Sequence, residues 1–210
     1  MIKVIPFIYQ DTDDLFANTY LLIDEDKQCV VIDPGKDYSG LVDYINKNAL
    51  TLKGVLLTHG HIDHMRGVDR LAEAFYIPVF IGFEDEGNLK DSYSNCSDLL
   101  GEKRIINSEA QTIADRETLH LIKEDIHVIH TPFHTSGSMC FFLQESGVLF
   151  TGDFIIPHSV GRSDLPGAKP REFAKSMAKI LALPLETKIY GGHGPSSTLA
   201  LEQKVNPFVK

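Results

Sequence analysis

Apolar residues recur along the chain with two different periods, and the alternation between them divides the sequence into elements. β-rich apolar stretches at 2–8, 19–23 and 29–32 read as strands, and the amphipathic segment from Ser39 to Asn48 reads as a helix. The run LKGVLLT at 52–58 predicts a buried strand. From Met65 to Tyr76 the chain places Val68, Leu71, Ala72 and Phe75 on one helix face, and 77–82 returns to strand. Residues 83–101, rich in Asn, Ser, Asp and Gly and without a period, predict a surface loop or short helix, read as a solvated loop in preference to a wall of an active site. Strand signals resume at 117–122, 126–130, 139–143 and 147–151, with Glu145-Ser146-Gly147 supplying a turn. A helix at 171–183, a strand at 187–190 and a short helix from Leu199 close the chain.

Interleaved strands and helices joined by hairpin-like turns predict an α/β (α+β) protein with antiparallel or mixed sheets, not a doubly wound parallel one. With 210 residues and no repeat, linker or low-complexity tract, one domain spanning 1–210 is expected. A composition of 43% hydrophobic and 23% charged residues sits with folded globular chains. The net charge of −9, without a basic stripe, argues against a nucleic-acid partner, although bound divalent cations would offset it locally. No apolar run reaches membrane-spanning length and the N-terminus is strand-like, so a soluble, cytoplasmic protein with no membrane partner is expected. Cys29, Cys96 and Cys140 form no C-x-x-C pair and read as buried reduced thiols.

The strongest chemical signal is Thr58-His59-Gly60-His61-Ile62-Asp63-His64, set between a buried strand and an amphipathic helix. In extended chain His59 and His61 project to the same side and can share one metal ion. Asp63 and His64 come as the chain turns into the helix and are directed toward a second position, which favours two ions. H-E-x-x-H differs, because its ligands need a continuous helix. His134, Asp153 and His193 each follow a strand, where a sheet delivers side chains to a common rim. Imidazole and carboxylate suit zinc, iron or manganese, and a carboxylate can bridge two ions. Singly, each of these three is more often an ordinary packed or turn residue; jointly with the H-x-H-x-D-H run they form a ligand set.

With these residues in place the chain resembles the metallo-β-lactamase superfamily, and within it the glyoxalase II-like branch of small hydrolases. The resemblance runs from NTYLL at 18–22 through VVIDPG at 30–35, THGHIDH, HTPFHTSGS, LFTGD and GRSDLPG at 161–167 to GGHGPSST and a terminal NPF. It implies a four-layer αββα sandwich with the metals at one edge of the two sheets. It also implies that His59, His61 and His134 hold one ion, that Asp63, His64 and His193 hold the other, and that Asp153 bridges them. Asp153 stands where true β-lactamases of the superfamily commonly differ, which points away from antibiotic hydrolysis. Three departures stand out. Phe133 replaces the usual glycine of HTPGHT, Met65-Arg66 follows the motif and reads as a surface change, and the chain ends at Lys210 without the helical extension that contributes to glutathione binding in full-length glyoxalase II.

Two divalent ions, most simply zinc, would lower the pKa of water from near 16 to about 7, with Asp63 and Asp153 as the catalytic carboxylates. A small-molecule substrate is expected, and oligomeric state is left open. The leading expectation is hydrolysis of a thioester or ester of the S-acyl glutathione type. The alternatives are a mononuclear-iron persulfide dioxygenase and a non-catalytic metal-binding protein. Phe133, Phe154, Ile155 and Ile156 are candidates for an apolar substrate wall, against a reading as core. Arg162 would meet a substrate carboxylate or pair with Asp164. Asp33, Pro34 and Gly35 are expected to form a tight loop near the site, with support of the metal ligands by Asp33 as the functional option, whereas His120, His127, His130 and His158 are expected to have no catalytic role.

Overall fold

A computed structural model describes residues 1–8, 16–37 and 39–210. The first six strands, β1 (Lys3–Phe7), β2 (Thr19–Ile23), β3 (Gln28–Ile32), β4 (Thr51–Leu56), β5 (Val79–Gly82) and β6 (Gln111–Ile113), form one sheet in sequence order. Its first three strands are antiparallel neighbours, and β3 to β6 run parallel. The second sheet has the order β12-β11-β10-β9-β8-β7, made of β7 (Thr118–Leu119), β8 (Ile126–His130), β9 (Met139–Leu143), β10 (Val148–Gly152), β11 (Lys188–Gly191) and β12 (Ser197–Thr198). Only the β10–β11 pair in it is parallel.

Strand β9 shows why the central strands are apolar throughout. Side chains alternate faces along a strand, so Met139, Phe141 and Leu143 enter the core between the sheets while Cys140 and Phe142 enter the outer core on the other face. The inner core joins Tyr20, Leu22, Ile32 and Leu56 of the first sheet to Phe141, Phe150 and Tyr190 of the second. The outer face of the first sheet is covered by α1 (Ser39–Lys47), α2 (Ile62–Met65) and α3 (Val68–Phe75), through Leu41, Ile45, Ile62, Met65 and Leu71. The second sheet is covered by α4 (Phe173–Leu181) and α5 (Leu199–Val205), through Met177, Ile180 and Leu199. The result is the αββα layering. No helix among the described residues is long and apolar enough to cross a membrane.

Several expectations are corrected in detail. The helix read over 65–76 starts later, at Val68: Met65 ends the separate α2, and the chain breaks at Gly67, whose N–H donates to the Pro34 carbonyl at 2.8 Å. Tyr76, at φ 53°, then ends α3 with its N–H on the Ala72 carbonyl. Met65-Arg66 is no surface change: Met65 is fully buried, and Arg66 is 5% exposed, ion-paired to Glu102 at 2.5 Å and lying over the Phe16 ring. The strand read over 117–122 shrinks to Thr118–Leu119, since the chain bends so that Lys123 N–H reaches the Asp24 carboxylate. Strands β6 and β12, of three and two residues, are too short to leave a periodic signal.

Candidate metal centre

The strands deliver the site to one edge. β3 and β4 are parallel, with Ile32 opposite Leu56, so Asp33 leaves its strand beside the His59 loop. β10 and β11 are also parallel, with Gly152 opposite Gly191, so Asp153 and His193 emerge side by side. The two edges are joined by Met139 N–H donating to the Thr58 carbonyl at 2.7 Å. The seven residues expected as ligands, His59, His61, Asp63, His64, His134, Asp153 and His193, converge here. His61 Nδ1 lies 3.1 Å from His59 Nε2 and 2.8 Å from His134 Nε2. His193 Nε2 lies 3.3 Å from Asp63 Oδ2 and 3.6 Å from Asp153 Oδ2. Asp153 joins the two halves: its Oδ2 is also 3.6 Å from His134 Nε2, and its Oδ1 is 3.4 Å from His64 Nε2.

Hydrogen bonds behind the cluster set which nitrogen of three of the rings faces inward. The Arg162 carbonyl, which can only accept, lies 2.7 Å from His134 Nδ1, so that nitrogen carries the proton and Nε2 presents a lone pair. Thr58 Oγ1 donates to Asp33 Oδ2 at 2.6 Å and therefore accepts from His59 Nδ1 at 3.2 Å, freeing His59 Nε2 in the same way. His64 Nδ1 donates to Asp33 Oδ2 at 2.9 Å. Asp33 thus holds His64 and, through Thr58, His59, which is the supporting role expected of it.

The residues present fit metal ions. Two inward-facing imidazole nitrogens, His59 Nε2 and His134 Nε2, crowd His61 Nδ1, yet one proton can serve only one such pair; a cation satisfies all three. Two ligands at about 2.0 to 2.1 Å from a tetrahedral zinc lie roughly 3.3 Å apart, close to these spacings. His64 Nε2 and Asp153 Oδ1 are buried without a hydrogen-bond partner, and these atoms face one another. Three groupings could hold an ion: His59, His61 and His134; His59, His64 and Asp153; and Asp63, His64 and His193.

The electrostatics divide the cluster. Burial, reinforced by His64, His61 and His134, drives the His59 imidazole well below its usual range. Burial and His134 push His61 down to about 3. His64 moves well above the usual value: burial opposes the rise, but Asp33, Asp63 and Asp153 surround the ring. His193 is raised against burial by Asp153 and Asp63. For the carboxylates burial acts upward, yet His64 and His193 hold Asp63 at about 2 and hold Asp153 well below the carboxylate range.

Beside the cluster opens a cavity of about 410 Å³, with His61, Asp63, His134, Asp153 and His193 in its wall. Arg162 borders it and pairs with Asp164 through Nε at 2.7 Å and Nη2 at 2.8 Å. Phe133 and Phe154, candidates for the substrate wall, do not line it. They are 7% and 1% exposed, and with Phe173 they form an aromatic cluster under α4. Ile155 is likewise core, and Ile156 alone of the four reaches the cavity. His120, His127, His130 and His158 lie outside the three groupings.

Sequence reasoning missed the contribution of 83–101. Cys96, Leu99 and Leu100 line the cavity. Asp85, fully buried in the 3-10 segment Phe83–Lys90, accepts from Gly60 N–H at 2.9 Å, Gly137 N–H at 2.8 Å and Thr135 Oγ1 at 2.6 Å. It thereby ties the loop of His59 and His61 to the loop of His134. NTYLL also acquires a reason: Asn18 Nδ2 donates to the Gly194 carbonyl at 2.8 Å and the Tyr20 hydroxyl to the Gly191 carbonyl at 2.6 Å, anchoring the loop that carries His193.

Fold and site together define a metal-binding αββα protein. Residues 12–193 match the family model of the metallo-β-lactamase superfamily, and the chain belongs to that superfamily. It is 31% identical to the probable metallo-hydrolase YqgX of Bacillus subtilis, over 92% of either chain. It is 32% identical to the hydroxyacylglutathione hydrolase GloC of Haemophilus influenzae, over 91% of this chain and 92% of that one. Among solved structures, the B3 metallo-β-lactamase BLEG-1 superposes with a TM-score of 0.90 at 35% identity, covering 100% of both chains. TTHA1623 in a di-iron-bound form superposes at 0.85 with 32% identity, over 97% of this chain and 99% of that one. Family and relatives' names together support a metallo-hydrolase.

Proposed function

We propose that this chain is a hydrolase of thioesters or related esters, of which S-acyl glutathione is a representative, working with two divalent ions. The reading is carried by Asp153, whose two oxygens lie within 3.6 Å of His134, His64 and His193 and so reach both halves of the cluster. His59, His61 and His134 would hold one ion, Asp63, His64 and His193 the other, and Asp153 both. Zinc is the simplest choice; iron or manganese suits the same donors, and a structural neighbour carries two irons. When bound, such ions supply Lewis acidity and water acidified to a pKa of about 7.

The protein's own side chains do the rest. Asp63, with Oδ2 3.3 Å from His193 Nε2, borders the cavity and orients the attacking water. As the water oxygen, having released one proton to solvent, bonds to the acyl carbon, the C–S bond breaks, and the carboxylic acid formed gives up its remaining proton to solvent. The leaving thiol, with a pKa of about 8.5, departs as a thiolate without a protonated partner. That suits a wall whose histidines are already committed to the cluster, and an amide nitrogen would be a harder leaving group there. The substrate is a small molecule, with neither nucleic acid nor membrane as partner. The three buried free thiols fit a reducing cytoplasm.

A second reading, a mononuclear-iron persulfide dioxygenase, draws on His59, His64 and Asp153, which offer one ion two imidazoles and a carboxylate. Elemental analysis of protein purified without added metal, with assays on thioesters, a persulfide and a β-lactam, separates these. Two ions and anaerobic thioester turnover are expected; one iron with oxygen uptake on the persulfide, or turnover of the β-lactam alone, overturns the proposal.

A further inference from the structure

Beside the ligand residues, the lining of the cavity is largely aliphatic. Ile62 begins α2, Leu99 and Leu100 stand on the 3-10 turn Ser97–Leu100, and Ile156, Val160 and Leu165 come from the chain after β10. Leu99 and Leu100 are 63% and 40% exposed. They have a large apolar area to lose from water, and they border a cavity that five of the cluster's residues also line. Among the described residues lining that cavity, Arg162 is the sole lysine or arginine. Its Nε–Nη2 edge lies on Asp164, and both partners are largely exposed, at 63% and 69%. The guanidinium charge is therefore balanced locally, and a substrate carboxylate would have to share it with Asp164.

A glutathione thioester carries two carboxylates and one ammonium on its thiol portion, and cations are the strongest partners for the carboxylates. An aliphatic acyl chain requires only apolar area. Resting on the hydrolase reading above, we propose that the cavity selects its thioester through an uncharged aliphatic acyl group laid against Leu99, Leu100 and Ile156, and that the thiol portion contributes little. Short and medium acyl thioesters with small, uncharged thiols form the favoured substrate class. Each buried methylene contributes about a fourfold gain until the wall is covered.

The test uses the metal-loaded protein and acetyl, butyryl and hexanoyl thioesters of N-acetylcysteamine beside the matching glutathione thioesters. Calorimetry of the non-hydrolysable S-alkyl N-acetylcysteamine thioethers gives binding without turnover. A rise in kcat/KM of about fourfold per methylene is expected, parallel in the two series, together with a rise in thioether affinity. Leu100→Ser and Leu99→Ser should lower the hexanoyl-to-acetyl ratio at unchanged metal content. Tyr76→Ser, which alters an apolar residue exposed elsewhere, should keep the ratio. A flat chain-length series, or a preference of tenfold or more for the glutathione thioesters that Arg162→Ala removes, overturns the inference and leaves the hydrolase reading standing. Chain-dependent thioether binding without thioester turnover does the reverse.

Discussion

Replacing Asp85 by asparagine keeps the shape of the side chain and removes one acceptor. Oδ2 serves two donors, Gly60 N–H and Thr135 Oγ1, and Oδ1 serves Gly137 N–H. The introduced amide best keeps its carbonyl at the Oδ2 position, which turns its NH₂ against Gly137 N–H. A buried donor left facing a donor costs about 1–3 kcal/mol. Burial raises the Asp85 carboxyl while its three hydrogen bonds lower it, so removing the charge returns part of that loss. A net destabilisation of about 2 kcal/mol is expected, which lowers the Tm of the metal-free protein by roughly 4–8 °C for a chain of this size. Gly60 lies between His59 and His61, and Thr135 follows His134, so the first ion's ligands lose their common brace. Metal affinity should drop about 10- to 100-fold, as for other groups that orient ligands. Competition with a chromogenic chelator measures the affinity, and a thermal melt of the stripped protein measures the fold separately. A lowered Tm with metal affinity within about twofold of wild type would refute the bracing role, leaving Asp85 a purely structural acid.

Three further outcomes follow from the same geometry. Gly192→Ala places a Cβ 2.3 Å from Asp153 Oδ1 and 2.5 Å from His64 Cε1. It should strip at least one ion during dialysis, and full metal retention would show that the edge yields. Asn206, fully buried in the terminal NPF, donates through Nδ2 to Ser159 and Glu202, both at 2.8 Å. Asn206→Ala should cost about 2 kcal/mol in urea unfolding and speed hydrogen exchange across 156–160, whereas unchanged exchange there would sever α5 from the cavity wall. In the stripped protein His59 and His61 are held low and so already neutral at pH 7, while His64 and His193, raised above the ordinary imidazole value, carry more of the proton that metal must displace. As pH falls, affinity should therefore weaken more steeply for the second ion than for the first, with more protons released on filling the second site in a weakly buffered titration. Equal release at both sites would contradict this asymmetry.

The run at 59–64 was legible because ligand type, spacing and a neighbouring strand coincide in six residues. The strands that precede His134, Asp153 and His193 were legible because they are β-rich apolar or alternating stretches. Asp85 was not, since it sits in a polar, aperiodic segment and its partners lie 25 to 52 positions away. Nothing local distinguishes it from a solvated acid. Arg66 misled for the opposite reason: a charged residue reads as surface, and its burial depends on Glu102, 36 residues on. Phe133 and Phe154 sit next to ligand-bearing turns, but Phe173 of α4 closes over both rings, and that helix-to-sheet contact is invisible to any window along the chain.

The number of ions that one chain holds decides whether the cluster is a two-metal centre. Stripped wild-type protein and Asp153→Ala, each saturated with zinc, freed of excess and weighed by elemental analysis, should show two ions per chain in the first and one or fewer in the second. One ion or none in the wild type, or two held equally well without the Asp153 carboxylate, would contradict it.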